Sequence, residues 1–285
     1  MVNVLRSGLR AALRRWPVVV LLLVTNLAFG VVFTAASWSW LSIALDNSLA
    51  TRTLLTDLDA HVFVDLFVHH QGSLRMLLTA GVLLALVFGL LSVWTAATAV
   101  LAVGEDATLG ECAGRGVRLY PKFLCLSALA GVMHAAGVVA IFLLGRSLVH
   151  WAAESPVEGT FYWVTAASLG AGAFLMFCLA TLHDHARIRV AATDSGVVQA
   201  CAWAVAFVAA REVRALPLAG LLLAGGLGLW LLYQTAGMLI PTTSGLGMAL
   251  SLVGGEVLLL GRMFLRLWLL AAETELQRAA ADAAS

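Results

Sequence analysis

Charged side chains are scarce in this chain, at 12% of 285 residues, whereas an average soluble domain has roughly 25%. Hydrophobic residues reach 61%, and the mean hydropathy is +0.96. A soluble core cannot bury that much apolar surface, so the composition excludes an ordinary soluble protein. The net charge of +1 gives no indication of nucleic acid as a partner. The chain is therefore predicted to be a polytopic α-helical membrane protein.

Cysteine pairs and catalytic motifs are also missing from the sequence. The chain has four cysteines and no CxxC pair, which excludes a disulfide framework and a paired-cysteine metal site. No HExxH, GxSxG or Walker motif occurs. We therefore expect a non-enzymatic protein that carries no cofactor.

Six apolar runs are long enough to cross about 30 Å of hydrocarbon as helices, at residues 17–41, 76–104, 123–144, 161–182, 218–240 and 246–270. Residues 197–210 are apolar as well, but a helix of this length rises only about 21 Å. This segment is predicted to be an interfacial or re-entrant helix rather than a seventh span.

Basic residues are concentrated on one side of the predicted membrane. Four arginines precede the first span, three basic residues lie at 105–122 and four arginines at 183–217, whereas the opposite side has Arg52, Arg75 and Arg146. Because Lys and Arg resist translocation, both termini are predicted to be cytoplasmic. A cleaved signal peptide is disfavoured, since the apolar run after Pro17 exceeds the usual core of about 7–15 residues.

A repeated pattern precedes three of the spans. It consists of a short helix, an arginine cluster and a proline, in the strings GLRAALRRWP, CAGRGVRLYP and AFVAAREVRALP. The pattern predicts an all-α fold of three hairpins, each preceded by a cytoplasmic amphipathic elbow helix. One membrane domain, 1–285, would contain repeat-like units at 1–104, 105–182 and 183–270 and a short tail at 271–285. The alternative is that ordinary membrane hairpins begin with basic residues and proline by themselves.

Two ionisable residues are predicted near the middle of spans, Glu256 in the sixth and His134 in the third. An ionisable side chain there costs about 2.5–3.5 kcal/mol and usually has a partner or a polar cavity. Glu256 and His134 are therefore candidates for a proton, ion or ligand pocket. The alternative is a protonated Glu256 that is hydrogen-bonded within the bundle.

Arg262 and Arg266 lie one helical turn apart in the half of span six that is predicted to be cytoplasmic. They are candidates for holding a lipid phosphate or another anionic substrate. The alternative is that they snorkel toward the headgroups and pair with an acid such as Glu105 or Asp184.

Two histidine-containing strings are candidate metal sites. Asp57, His61, Asp65 and His69 recur every four residues, so a helix would present them on one side. The same residues also fit the wet face of an amphipathic helix that rests on the membrane. His183 and His185 diverge on a helix, so the string from His183 to His185 fits a charged span end better than a metal site. No metal is predicted.

The string HDHARIRV, with Asp184, Arg187 and Arg189, follows a span and precedes an Ala-rich elbow. It resembles uncharacterised six-span bacterial membrane proteins, which are similar to the membrane domain of some glycerophosphoryl diester phosphodiesterases. The resemblance implies a bacterial inner-membrane protein with an accessory or substrate-handling role near lipids. Because the phosphodiesterase barrel is missing, it implies no catalytic residue.

Two functions are compatible with the sequence. The first is a non-enzymatic accessory or scaffold protein that contacts membrane lipids or partner membrane protein subunits. The alternative is a transporter or permease for a lipid or small molecule, with a midplane site at Glu256 and His134.

Overall fold

The structure is a computed structural model that describes residues 1–45, 68, 71–155, 157, 159–210, 215–239 and 245–284. The described part is helical apart from short connections and contains no strand. Six of its helices are long and apolar enough to cross a membrane. The predicted all-α class is thereby confirmed for the described residues, and the six long apolar helices support a multi-pass membrane protein.

Eight helices of two lengths make up this part of the chain. Six are 25–45 residues long, namely α2 (Trp16–Leu45), α3 (Gln71–Gly104), α4 (Leu109–Ala153), α5 (Thr160–Thr193), α7 (Ala215–Leu239) and α8 (Gly245–Ala284). The other two have 13 residues each and are too short to span, namely α1 (Val2–Arg14) and α6 (Val197–Ala209). The separate short helix α6 agrees with the prediction that 197–210 is not a seventh span.

The chain divides into two compact units, residues 21–92 and the remainder. Within residues 21–92, α2 and α3 run in opposite directions. The rings of Phe29 and Phe88 meet edge to face with centroids 4.9 Å apart, and the Trp40 indole N–H donates to Ser73 Oγ at 3.0 Å. This division follows contacts and not the predicted repeat units, which stay a prediction.

In the larger unit, α4 packs against α5 and α7 packs against α8, each pair antiparallel. Small residues let the backbones approach closely where no hydrophobic effect drives helices together. A Cβ added to Gly172 on α5 would lie 2.9 Å from Ile141 on α4. In the same way, a Cβ added to Gly261 on α8 would lie 3.1 Å from Leu229 on α7.

Helix α4 begins with the capping box that the spacing of Thr108 and Glu111 predicts. Thr108 Oγ1 accepts from the Glu111 backbone N–H at 3.3 Å, and the Glu111 carboxylate accepts from the Thr108 backbone N–H at 2.8 Å. The helix then runs without interruption through Pro121. The predicted second elbow is therefore not a separate helix: proline removes one backbone donor, and the rest of the helix continues around it.

The predicted short tail at 271–285 lies largely within helix α8. Helix α8 continues to Ala284, and Ala271 and Ala272 are fully buried. They are covered by the small-residue face of α1, where a Cβ added to Gly8 would lie 2.8 Å from the Ala272 backbone. The Trp268 indole N–H donates to the Leu5 carbonyl at 2.9 Å. The tail is thus part of the core, because it supplies the surface on which α1 packs.

Buried side chains of the larger unit gather where α3, α5 and α8 end. They include the stretches 97–103 of α3, 184–186 of α5 and 270–274 of α8. Three of the buried residues carry a carboxyl or imidazole side chain, namely Asp184, His185 and Glu273. Buried ionisable groups require partners, which makes this end of the bundle the place to look for a functional site.

Candidate functional site

A bidentate ion pair between Asp184 and Arg266 joins α5 to α8. The Arg266 guanidinium donates to both carboxylate oxygens of Asp184, each at 2.6 Å. The Asp184 side chain is 5% exposed and that of Arg266 39% exposed, so one partner is buried and the other reaches the surface. Bidentate pairs of this kind fix orientation as well as distance. The pair therefore sets the rotation of α8 against α5.

Arg187 extends this ion pair to a third helix. Its guanidinium lies 3.9 Å from Asp184 and donates to Ser127 Oγ on α4 at 2.9 Å. The two predicted elbow residues Asp184 and Arg187 are thus brought together. The third, Arg189, is turned elsewhere, with its guanidinium 4.8 Å from the centre of the Trp203 ring on α6.

His185 points away from Asp184 and is bound by Gln277 of α8. The Gln277 amide nitrogen lies 2.9 Å from His185 Nδ1 and 3.2 Å from the His185 carbonyl oxygen. Since the carbonyl oxygen only accepts, this nitrogen is a donor, and Nδ1 is the acceptor. A neutral His185 therefore carries its proton on Nε2.

That Nε2 faces Glu273. The distance from His185 Nε2 to Glu273 Oε1 is 4.0 Å, and both side chains are fully buried. In the described part of the chain, neither this nitrogen nor either Glu273 oxygen has a hydrogen-bond partner. An ionised carboxylate without a partner is costly to bury. The pair therefore requires a proton or a counter-charge. We refer to Asp184, His185, Arg187, Arg266, Glu273 and Gln277 as the polar cluster.

Aromatic side chains of α6 cover His185. The Phe207 ring centroid is 5.0 Å from that of His185, and Trp203 stacks on Phe207 at 4.6 Å. Arg189 then lies over Trp203. Helix α6 thus covers the polar cluster with its aromatic face.

A cavity of 550 Å³ lies beside the polar cluster, between α5, α7 and α8. Its size is within the range of small-molecule sites, about 300–1,000 Å³. One face of α8 supplies its polar wall through Arg262, Arg266 and Glu273, and α7 supplies an apolar wall that includes Leu223, Leu227 and Trp230. We call this space the lateral cavity.

The two arginines of the lateral cavity differ in their partners. Arg266 is committed to Asp184, which is one of the two acids predicted as alternatives. The other, Glu105, forms an ion pair with Arg115 instead. Arg262 is exposed, and no ion pair or hydrogen bond to its guanidinium occurs in the described residues. Arg262 is therefore available to an anion.

The predicted pair Glu256 and His134 is not joined. His134 lines a separate cavity of 70 Å³ that also has His183 on its wall, and its Nδ1 lies 2.7 Å from the Ala130 carbonyl oxygen. Glu256 is exposed on α8. Among the described residues, no hydrogen bond or ion pair links the two side chains, so a shared pocket stays a prediction.

The metal candidates lie in two places. Asp57, His61, Asp65 and His69 are outside the described residues. Within the described ranges, no three His, Cys, Asp or Glu residues are grouped so that they could hold a metal ion. The His183 side chain lines the cavity of 70 Å³, whereas the His185 side chain is bonded to Gln277, so the two rings point in different directions, as their divergence on a helix predicts.

Glu273 and Gln277 are not among the site residues that the sequence predicts. A signal was present, because Glu273 follows Arg266 by seven residues and Gln277 follows by four more, which keeps all three on one helical face. Glu273 and Gln277 fall in the segment predicted to be a short cytoplasmic tail, 271–285, whereas Arg266 falls in the predicted span six. The burial of Glu273 and Gln277 involves His185 of α5, which is distant in sequence.

No protein-family model, no curated protein and no solved structure matches this chain. The resemblance to the membrane domain of glycerophosphoryl diester phosphodiesterases therefore stays a prediction from the sequence.

Proposed function

We propose that this chain is a non-enzymatic membrane protein that binds a membrane lipid in the lateral cavity and serves in an accessory or lipid-handling role. The observation that carries the proposal is the composition of that cavity. Its α7 wall is apolar, whereas its α8 wall holds one arginine without an acidic partner in the described part. An amphiphile has the matching pair of surfaces.

The cavity opens sideways, where the hydrocarbon of a bilayer would be. Leu223, Leu227 and Trp230 of its apolar wall are 52%, 54% and 47% exposed. Leu222 beside them is 6% exposed and forms the floor. A lipid can enter such a groove from the bilayer without crossing water.

The proposal includes the arrangement of the chain in the membrane. The six spans form three hairpins, α1 and α6 serve as cytoplasmic elbow helices, and both termini are cytoplasmic. The arginine count of the loops supports this orientation. The bacterial inner membrane is proposed on the resemblance alone.

Native mass spectrometry after gentle purification tests lipid binding in the cavity. Gly226 lines the cavity, and a Cβ there would meet only Leu265 at 4.0 Å, so Gly226→Leu fills the space without a backbone clash. Gly228 is two residues away and is not on the cavity wall, which makes Gly228→Leu the matched control. We expect Gly226→Leu alone to lower lipid retention. Equal retention in both variants would contradict the proposal.

A transporter is the second candidate, because Glu256 is exposed on a spanning helix and has no ion pair in the described part. An ionisable residue at such a position is costly unless it has a role or a partner. Glu256→Gln separates the two functions. Loss of uptake into proteoliposomes in Glu256→Gln, with unchanged thermal stability, supports transport. Unchanged lipid retention in Glu256→Gln, with no uptake by either this variant or the wild type, supports the lipid-binding role.

A further inference from the structure

We infer that Arg262 holds the phosphate of a phospholipid whose acyl chains leave the lateral cavity past Leu223, Leu227 and Trp230. This inference rests on the proposed lipid-binding function and names the ligand. The headgroup is assigned to one side chain, Arg262. Lipid binding in the lateral cavity and phosphate recognition by Arg262 can therefore be tested separately.

Arg262 and Arg266 differ in whether an acid neutralises the guanidinium. Arg262 and Arg266 lie on the same face of α8 and line the same cavity. Arg266 is neutralised by both oxygens of Asp184, whereas the described residues supply no acid to Arg262. An anion that enters the cavity therefore meets one uncommitted guanidinium. Phosphate oxygens accept charge-assisted, often bidentate, hydrogen bonds from such a group.

The position of Arg262 along the predicted span six also bears on the kind of ligand. Arg262 lies eight residues before Leu270, the predicted end of span six, which is about 12 Å along a helix axis. An arginine at this level extends its charged end toward the headgroups. The guanidinium would thus lie near the phosphates of the leaflet on the arginine-rich side. A soluble anion would have to leave water to reach it, which favours a lipid.

Glu273 is a further acid on the wall of the lateral cavity. Glu273 is eleven residues beyond Arg262, about 16 Å along the helix axis. Its carboxyl is fully buried near His185 and does not compete for the Arg262 guanidinium. Arg266 and Asp184 lie between them and cancel each other. Among the residues of the cavity wall, therefore, none places an uncompensated negative charge close to a phosphate at Arg262.

The test compares two lipids with the same acyl chains. Delipidated protein is mixed with equal amounts of dioleoyl phosphatidylglycerol and dioleoylglycerol, and bound lipid is counted by native mass spectrometry. We expect wild type to retain phosphatidylglycerol preferentially. Arg262→Gln should lose that preference by about tenfold, equivalent to 1.4 kcal/mol, and Arg262→Lys should keep part of it. The binding of dioleoylglycerol should not change.

Matched controls are Arg146→Gln and Arg6→Gln, which remove exposed arginines from α4 and α1. Both should bind as wild type does, and the thermal midpoint of each variant establishes that it is folded. Equal retention of the two lipids by wild type, or an unchanged preference in Arg262→Gln, overturns the phosphate assignment but leaves the lipid-binding function standing. Retention of neither lipid overturns both. Complete displacement by inorganic phosphate alone would rule out a lipid as the ligand.

Discussion

Arg266 and Asp184 are 82 residues apart in sequence, yet each terminal guanidinium nitrogen of Arg266 donates to one carboxylate oxygen of Asp184 at 2.6 Å. The pair connects the last spanning helix to the end of α5. It also removes one of the two arginines of the lateral cavity from ligand binding. Stability and ligand selectivity therefore depend on neighbouring arginines of one helix.

Replacing Arg266 by Gln should destabilise the fold. Removal of one partner from a buried pair costs about 3–5 kcal/mol, because the other charge stays buried alone. Since the Arg266 side chain is 39% exposed and partly screened, we expect the lower end, about 3 kcal/mol. Equilibrium unfolding in mixed detergent micelles measures the loss. Arg262→Gln, one turn away, is the control and should change stability little. A similar loss in both variants would mean that the pair contributes nothing specific.

Replacing Glu273 by Met should raise stability. The carboxyl is fully buried, and in the described part its oxygens have no hydrogen-bond partner. Apolar replacement of poorly compensated buried charge is often neutral or stabilising by about 1–4 kcal/mol. Glu275→Met is the matched control, since Glu275 pairs with Arg278 and is partly exposed. The same unfolding assay applies. A marked loss of stability in Glu273→Met would mean that the carboxyl has a partner in the membrane-embedded protein.

Replacing Gly8 by Ala should release α1 from α8. A Cβ at Gly8 would lie 2.8 Å from two backbone atoms of Ala272, so the helices must separate. Overpacking of this kind costs about 1–3 kcal/mol, and 1.4 kcal/mol is tenfold in population. We expect trypsin to cut after Arg6 and Arg10 about tenfold faster. Gly114→Ala on α4, where no atom lies within 4 Å of the new Cβ, should leave cleavage unchanged. Unchanged cleavage of the Gly8 variant would refute close packing of α1.

Asp194 should titrate below its ordinary range. The Lys122 ammonium donates to its carboxylate at 2.7 Å, and this hydrogen bond lowers the pKa of Asp194 from the usual 3.8. A lowered pKa in the folded state means that the contribution to stability is present above pH 3.8. It is lost as the pH falls through the lowered pKa. Carboxyl carbon NMR should give a midpoint below 3.8, and Lys122→Gln should move it upward. Arg189→Gln serves as the control, and an unmoved midpoint in Lys122→Gln would exclude the contact.

Run length and cap spacing made part of this fold predictable. The six spans and the separate α6 follow from how many apolar residues cross the hydrocarbon, and Thr108 with Glu111 marks the start of α4. The partner of Arg266 was not decided by sequence. Spacing along one helix says nothing about which helix it faces, so Asp184 and Glu105 were equally available. The sequence predicts that Pro121 separates an elbow helix from the third span, because proline is favoured at a helix start, whereas α4 continues through it.

The buried face of α8 was harder to predict than the spans. Glu273 and Gln277 lie in a polar segment that would be solvated in isolation. They are buried where His185 of α5 lies against both of them, while α1, from the other end of the chain, packs on the same stretch of α8 at Ala272. Burial of this kind depends on tertiary packing, for which a single sequence carries no local signal. His185 was considered as part of a charged span end, and its bonds to Gln277 could not be foreseen for the same reason.

The packing of α1 on α8 has a consequence for biosynthesis. Leu5 and Trp268 are bonded across 263 residues, so the first helix emerges from the ribosome long before its binding surface exists. Until the last helix is inserted, α1 lacks the surface on which Leu5 and Gly8 pack. Its docking then completes assembly. Removal of residues beyond Leu267 would leave the first helix undocked even though every spanning segment preceding α8 is intact.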